Sequence, residues 1–148
     1  DTLTSPWGSR IVLSKYHSES PTNSISYWLT QRGDEVEVFV SRIRVTDEDR
    51  LTSSGVDLTT GTWTHIAGTW DGSHLRLYVD GVEVASKATT VASMDDSTVP
   101  VNIGAAEAFA DGQRSALFSG SIDEAYIFDR ALGASEIERL ADGDPPAS

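Results

Sequence analysis

Residues 61–81 read GTWTHIAGTWDGSHLRLYVDG, and this stretch decides the fold class of the chain. Apolar and polar residues alternate in the runs on either side of Asp71-Gly72, and a third run begins after Asp80-Gly81. Asp-Gly pairs favour the positive φ angles that tight hairpins require. The stretch therefore predicts a β-meander of three antiparallel strands with a turn at each Asp-Gly pair.

Further strand patterns lie on both sides of this meander. Apolar or alternating runs predict strands at residues 11–15, 25–30, 36–41 (with an extension through residue 45), 99–104 and 117–128. Polar stretches predict loops at residues 46–50, 93–98 and 105–115. Ser135 and Glu138 form a capping-box pattern that predicts a short helix at residues 134–140. Turn signals recur about every 8–12 residues, as in sandwiches. The pattern predicts an all-β, two-sheet antiparallel jelly-roll sandwich with one short C-terminal helix.

Length and charge limit the classes of function. A chain of 148 residues can form one domain with its own core. Its 23 acidic and 11 basic residues give a net charge of −12, and such a surface repels nucleic acid and anionic membranes. No apolar run approaches the roughly 20 residues that span a bilayer. Because cysteine is absent, disulfides and zinc–thiolate sites are excluded. We expect neither nucleic-acid binding nor membrane insertion.

Two segments resemble the laminin-G-like, concanavalin A-like jelly-roll family. Residues 61–81 resemble its "G-x-W-x-H-(I/V)-A" strand followed by "L-x-L-Y-V-D-G". Residues 118–139 resemble its closing motif, "F-x-G-x-I-D-E" followed by "R-A-L" and "E-I", with Gly133 where a serine is usual. Residues 11–16 match its "I-(L/V)-x-K" strand more loosely. The resemblance covers approximately residues 7–140.

The resemblance implies a non-catalytic binding module of a larger secreted or cell-surface protein. Such modules bind carbohydrate, as polysaccharide or glycoconjugate, often with a structural calcium ion. The alternative is a structural or adhesive module that contacts other proteins. A glycan-cleaving enzyme is a more remote alternative, because the sandwich is shared with such enzymes. The related glucanases carry an "E-x-D-x-(x)-E" strand, and residues 121–125 lack the leading glutamate, so we expect no catalysis.

Asp123 is the candidate metal ligand. The resemblance places it at the "I-D-E" aspartate, which lies at the calcium site in many members, and Ca²⁺ takes six to eight oxygen ligands. Alternatively, Asp123 caps backbone amides and Glu124 pairs with a basic residue such as Arg130. The acidic loops offer further cation ligands, but without the spacing of a calcium loop, and solvated loops are the alternative. These residues are Asp47, Glu48, Asp49, Asp95, Asp96 and Asp111.

Aromatic residues are the candidate ligand-binding groups, together with Asp95, Asp96 and Asp111. Trp28 lies on the strand face opposite Tyr27 and Leu29, and an exposed indole can stack on a sugar ring. Alternatively, Trp28 covers the sheet or contacts a neighbouring domain. Trp7 is a second candidate. Trp63 and Trp70 are seven residues apart, so an unbroken strand would place only one of them in the core.

The chain divides into a jelly-roll domain at residues 1–142 and a linker or frayed end at residues 143–148. By resemblance, the family usually opens with an "S-x-W-(V/I)-K-P" strand, which has no counterpart in residues 1–10. An incomplete sheet leaves backbone groups unpaired at its edge. We therefore expect residues 1–148 to belong to a longer polypeptide. The N-terminal strands would come from a cleaved companion segment, from a partner by strand addition, or from a stretch of the protein outside these residues.

Overall fold

The structure is a computed structural model that describes residues 10–17, 24–41, 48–56, 58, 61–94, 99–107 and 114–146. This part of the chain forms ten strands and one helix. The strands are β1 (Arg10–His17), β2 (Ser24–Arg32), β3 (Glu35–Ser41), β4 (Glu48–Ser53), β5 (Ile66–Trp70), β6 (His74–Val79), β7 (Val82–Ala88), β8 (Asn102–Ile103), β9 (Ala106–Glu107) and β10 (Arg114–Ser115). The helix is α1 (Ala134–Ala141).

The strands form two sheets. In the larger sheet the order is β10-β9-β1-β2-β3-β4, with β8 also paired to β1. Strands β1 to β4 are antiparallel neighbours, whereas β9 meets β1 in a short parallel contact. The smaller sheet has the order β5-β6-β7 and is antiparallel throughout. The fold is the predicted all-β, two-sheet sandwich of the jelly-roll class, with one short C-terminal helix.

The core lies between the two sheets. Alternate residues of β3 point inward, and Val36, Val38 and Val40 are almost fully buried. They pack with Leu75 and Leu77 of β6, neither of which has any exposed surface. Because side chains alternate between the faces of a strand, one run of alternating apolar residues on each sheet is enough to build this layer.

The predicted meander is confirmed at both of its turns. Asp80 and Gly81 have φ angles of 47° and 79°, as a two-residue hairpin requires. At the other turn the Asp71 carboxylate accepts hydrogen bonds from the backbone N–H groups of Ser73 (2.8 Å) and His74 (2.7 Å). The first strand is shorter than predicted, since β5 begins at Ile66 rather than at Trp63.

Three predicted loops or strands differ from the structure. The acidic loop at residues 46–50 is wrong over residues 48–50, which belong to β4 and pair with β3. The loop at residues 105–115 contains the short strands β9 and β10, and the strand at 99–104 is reduced to β8. Residues 42–47, including the expected extension through residue 45, lie outside the described residues, as do residues 95–98.

The predicted strand at residues 117–128 is wrong. These residues adopt no regular secondary structure, and Tyr126 and Ile127 are exposed. The alternating sequence predicts an extended backbone for these residues. A β-strand forms only where a neighbouring strand shares its backbone hydrogen bonds. In the described part of the chain, no neighbour pairs with this segment, which we call the closing segment (residues 117–130).

The helix forms where predicted but begins with a different cap. Gly133 is the N-cap residue, and the Glu136 carboxylate accepts a hydrogen bond from its backbone N–H at 2.9 Å. Arg130 also holds Glu136, with two hydrogen bonds of 2.7 and 2.9 Å. The Arg130 guanidinium, together with the Gly133 amide, lowers the pKa of Glu136 to about 2. The predicted Ser135–Glu138 capping box is therefore replaced by one built on Gly133 and Glu136. In the described residues, α1 is the only helix, and its eight residues are too few to cross a bilayer.

Asp49 lies on the inner face of β4 and is buried at one end of the core. Its carboxylate accepts hydrogen bonds from the Thr89 hydroxyl and from the backbone N–H groups of Thr90 (2.6 Å) and Val91 (3.3 Å). Lys87 adds an ion pair at 2.8 Å. Burial alone would raise the pKa of Asp49, but these partners outweigh burial and hold it well below its usual range. Asp49 therefore joins the two sheets and does not lie in a solvated loop.

Replacing Asp49 by asparagine tests this link between the sheets. The substitution leaves Lys87 without its partner, and we expect a loss of about 2–4 kcal/mol in the free energy of unfolding. Because the folded pKa is depressed, the wild-type protein should also lose stability as the pH falls below about 4, and the variant should lose less. Urea unfolding at pH 7 and pH 3 measures both effects. The exposed Glu138→Gln is the control, and equal stability of Asp49→Asn and Glu138→Gln would contradict the assignment.

Gly68 lets β5 approach the larger sheet. A Cβ atom at this position would overlap the Val38 side chain, so no larger residue fits without a shift of the strand. We expect Gly68→Ala to destabilise the protein by about 1–3 kcal/mol through overpacking. Val38→Ala should relieve part of that loss in the double variant, although it destabilises the wild-type protein. Urea melts of the four proteins measure this coupling, and strictly additive effects would show that the two residues are not in contact.

Candidate functional site

The outer face of the larger sheet carries a cluster of aromatic and charged side chains. This outer-face cluster comprises Tyr16, Trp28, Glu37, Phe39 and Arg50. The Trp28 and Phe39 rings stack with their centroids 4.1 Å apart and their planes 16° apart. Tyr16 meets the indole edge-on at 5.8 Å. The Arg50 guanidinium lies 5.7 Å from the Trp28 ring centroid and 5.4 Å from that of Phe39, within the range of a cation–π contact.

Glu37 connects the aromatic and polar parts of the outer-face cluster. Its carboxylate accepts hydrogen bonds from the Trp28 indole N–H at 2.9 Å and from the Thr52 hydroxyl at 3.3 Å. Arg50 lies 3.6 Å from the same carboxylate. The strand register explains the assembly, since Phe39 stands directly opposite both Trp28 and Arg50 on its neighbouring strands. The sequence predicts the face on which Trp28 lies, but not these partners.

The Trp28 indole is therefore fixed by its neighbours and is not an isolated, exposed ring. Phe39 beneath it is fully buried, and Trp28 itself is half-buried. Arg50, whose side chain is 49% exposed, forms the outer part of the cluster. The accessible part of the cluster is thus mainly the Arg50 side chain, beside the half-buried Trp28 and the Glu37 side chain, which is 18% exposed.

Asp123, the predicted metal ligand, lies in the closing segment and is exposed. Its Oδ1 atom accepts a hydrogen bond from the backbone N–H of Glu124 at 2.9 Å, and Glu124 has a φ angle of 49°. Asp123 thus caps a local amide, as one alternative proposed. Arg130 is bound by Glu136 and not by Glu124. Within the described ranges, no group of three or more acidic, histidine or cysteine side chains could hold a metal ion.

The remaining predicted site residues lie outside the described residues. They are Trp7, Asp47, Asp95, Asp96 and Asp111. The structure describes the backbone of Glu48 in β4 but not its side chain.

A cavity of about 890 Å³ lies between the inner face of the larger sheet, β5 and the closing segment. Its lining includes Leu13, Leu29 and Val38 of the larger sheet, together with Trp63 and Phe118. Trp70 packs against the core, and its indole N–H donates to the Val91 carbonyl at 3.1 Å. Trp63, by contrast, is 70% exposed. The sequence did not predict this cavity, because it placed a strand in the closing segment.

His65 also lines the cavity and has a mainly structural role. Its backbone N–H donates to the Asp80 carboxylate at 2.9 Å, and its carbonyl accepts from the Asp80 N–H at 2.8 Å. The ring atom Nδ1 is buried and has no hydrogen-bond partner among the described residues. Burial lowers the pKa of His65, against the smaller opposing effect of Asp80. Burial of the ring thus favours its neutral form.

Two of the solved structures that match the chain share its fold, and a third is similar in sequence. The receptor binding domain of botulinum neurotoxin D has a TM-score of 0.60 at 15% identity, over 97% of this chain and 34% of its own. The binding domain of Paraclostridial Mosquitocidal Protein 1 has a TM-score of 0.59 at 15% identity, over 91% and 31%. An S-layer domain-containing protein from Clostridium thermocellum is 27% identical over 91% and 64%, with a TM-score of 0.46. The chain spans less than two thirds of each of these structures.

Sequence comparison agrees with the fold. No curated protein matches the chain in sequence. The laminin-G-like sequence profile of the concanavalin A-like lectin/glucanases superfamily matches residues 2–138. This match includes the β-meander, the outer-face cluster and the closing segment. Since it extends over most of a chain that forms the corresponding two-sheet sandwich, the chain belongs to the concanavalin A-like lectin/glucanases superfamily.

Proposed function

We propose that this chain is a non-catalytic, extracellular or cell-surface binding module that recognises carbohydrate through the outer-face cluster. The observation that carries the proposal is the arrangement of Trp28, Arg50 and Glu37 on the outer face of the larger sheet, where the Arg50 side chain is 49% exposed and the Glu37 side chain 18%. The ligand class is a polysaccharide or glycoconjugate. Family membership supports a binding role, and two of the solved structures with this fold are named as binding domains.

The chemistry of the outer-face cluster suits a sugar. Apolar C–H faces of a sugar ring pack on aromatic surfaces, and its hydroxyl groups need both donors and acceptors. Arg50 supplies donors, and Glu37 supplies acceptor oxygens. The hydrogen bond from Trp28 to Glu37 fixes the indole and the carboxylate relative to each other. Such a surface is ordered before the ligand arrives, so little conformational entropy is lost on binding.

The same cluster supports a role without catalysis. Most glycoside hydrolases place two carboxyl groups on either side of the scissile bond. Glu37 is the one carboxylate of the outer-face cluster as defined above, and it is already bound by Trp28 and Thr52. A hydrolytic mechanism has no second acid within this cluster.

A protein-interaction module is the second candidate function. One observation favours it, namely the edge strand β7, which carries two exposed valines. Val82 is 65% exposed and Val84 is 41% exposed. Exposed apolar residues on an edge strand can pair with another chain. Under this alternative, β7 would contact a neighbouring protein and the outer-face cluster would be structural.

A glycan array at millimolar calcium tests the carbohydrate proposal. We expect binding to at least one polysaccharide or glycoconjugate. Loss of the stacking or cationic contact should cost about 1–2 kcal/mol, so Trp28→Ala and Arg50→Ala should each weaken binding roughly 5- to 30-fold. Arg139→Ala is the matched control, because Arg139 is equally exposed but lies on α1.

Thermal melts of each variant show whether a loss of binding is only a loss of folding. Arg50→Ala removes an exposed side chain, so it should keep its fold even if Trp28→Ala does not. An array without any bound glycan would contradict the carbohydrate proposal and favour the protein-interaction module. Equal binding by Arg50→Ala and Arg139→Ala would show that the glycan binds at a surface other than the outer-face cluster.

We also propose a structural calcium ion at Asp123. The Oδ2 atom of Asp123 has no hydrogen bond within the described part of the chain, and the carboxylate is exposed. One carboxylate oxygen suits a hard cation, and backbone carbonyls or water would complete its coordination. The ion would stabilise the conformation of this part of the closing segment and would take no part in catalysis.

Calcium binding should raise the melting temperature. An ion that binds only the folded state stabilises it by about 2.7 kcal/mol at a concentration 100 times its dissociation constant. Melts with millimolar calcium and with a chelator should therefore differ, and Asp123→Asn should abolish the difference. Asp129→Asn, at a nearby exposed position, is the control. Identical melts of the wild-type protein would remove calcium from the proposal.

A further inference from the structure

Lys87 lies where an edge of the smaller sheet meets an edge of the larger one. It stands directly opposite the core residue Leu75 in the β6–β7 ladder, so its side chain leaves β7 on the inner face. Its ammonium group lies 2.8 Å from the Asp49 carboxylate and donates a long hydrogen bond of 3.5 Å to the Arg50 carbonyl. One side chain of β7 therefore contacts two successive residues of β4.

These two residues of β4 serve opposite faces of the larger sheet. Successive side chains of a strand point to opposite sides. Asp49 is buried on the inner face, whereas Arg50 lies on the outer face beside the rings of Trp28 and Phe39. Because Lys87 binds the carboxylate of one residue and the carbonyl of the next, it fixes the backbone from which the Arg50 side chain projects.

Strand β4 receives backbone pairing from one side. It pairs with β3 along residues 48–53, and within the described residues no strand pairs with its other edge. The structure attaches β4 to the smaller sheet through side chains instead. Residues 89–91 donate hydrogen bonds to the Asp49 carboxylate, and Lys87 adds its two contacts. The position of β4 relative to the rest of the sandwich consequently depends on these polar contacts.

The contacts of the Arg50 guanidinium require an accurately placed backbone. The guanidinium lies 5.7 Å from the Trp28 ring centroid, 5.4 Å from that of Phe39 and 3.6 Å from the Glu37 carboxylate. Cation–π contacts act only within about 6 Å of the ring centroid. A long side chain that is 49% exposed has many other rotamers available. A small displacement of β4 would therefore be enough to take the guanidinium away from both rings.

We propose that Lys87 is a positioning residue for Arg50, although it belongs to the other sheet and lies outside the outer-face cluster. Without the Lys87 ammonium group, β4 loses its attachment at the Arg50 carbonyl, and the guanidinium moves away from Trp28 and Phe39. The consequence for glycan binding rests on the proposed function. The position of the Arg50 side chain is a property of the protein without ligand.

NMR spectroscopy of the ligand-free protein tests the role of Lys87. Ring currents of Trp28 and Phe39 move the side-chain proton shifts of Arg50 upfield from those of a free arginine. Lys87→Met removes the charge and keeps the apolar stem, so the fold should be retained. We expect the Arg50 shifts in this variant to return by about half or more toward the free values, because the cation–π contact is lost. Asp49→Asn, which removes the other anchor of Lys87, should move them in the same direction.

Arg76→Met is the matched control. Arg76 also pairs with a carboxylate of the smaller sheet, Asp71 at 2.7 Å, and the substitution removes the same charge. It stands opposite Thr69 and Ser86, on the face of the smaller sheet that points away from β4. Its loss should leave the Arg50 shifts in place. Unchanged Arg50 shifts in the folded Lys87→Met protein would overturn the proposal, and so would equal displacements in Lys87→Met and Arg76→Met.

The affinity for a glycan found on the array gives a second measurement. Lys87→Met should weaken binding by about three- to tenfold, and Arg76→Met should leave it unchanged. Because Lys87 acts through Arg50, Lys87→Met should cause no further loss in the Arg50→Ala protein. Additive losses in the double variant would show that Lys87 does not act through Arg50. With a blank array the carbohydrate proposal fails, while the Arg50 shifts still decide whether Lys87 positions Arg50.

Discussion

Burial of the inner faces of the two sheets against each other is the constraint on which the rest of the structure depends. Val36, Val38 and Val40 on one sheet meet Leu75 and Leu77 on the other with almost no exposed surface. This contact requires β5 and β6 to come close to β3, and Gly68 permits that approach because any Cβ would overlap Val38. The hairpin at Asp80-Gly81 then sets the register of the smaller sheet. Each of these features serves the same apolar layer.

The two ends of that layer are closed in different ways. At one end the buried Asp49 gathers donors from residues 87–91, so a polar group inside the sandwich is fully compensated. At the other end the apolar wall of Leu13 and Leu29 faces a cavity. Burial of a carboxylate is therefore tolerated where donors converge on it, whereas within the described residues no strand other than β6 pairs with β5 beside the cavity.

Local sequence patterns predicted the elements whose hydrogen-bond partners are close in the chain. The meander, β1 to β3 and α1 follow from alternation, Asp-Gly turns and helix signals. The patterns failed where a partner is distant. The side-chain partners of Asp49 lie about 40 residues away, and the closing segment looked like a strand although, within the described residues, no strand pairs with it. At α1, the cap depends on the hydrogen bond from the Gly133 N–H to the Glu136 carboxylate. The sequence pattern pointed to the nearby Ser135 instead.

The candidate site shows the same limit at the level of side chains. Alternation along β2 places Trp28 on the outer face, and one strand is enough to predict that. The partners of Trp28 come from β3 and β4, and only the register of three strands brings Phe39, Glu37 and Arg50 to it. A one-residue shift of β3 would turn Phe39 and Glu37 into the core and leave the indole alone on the surface. Since the inner valines forbid that shift, the packing of the core also determines the composition of the outer-face cluster.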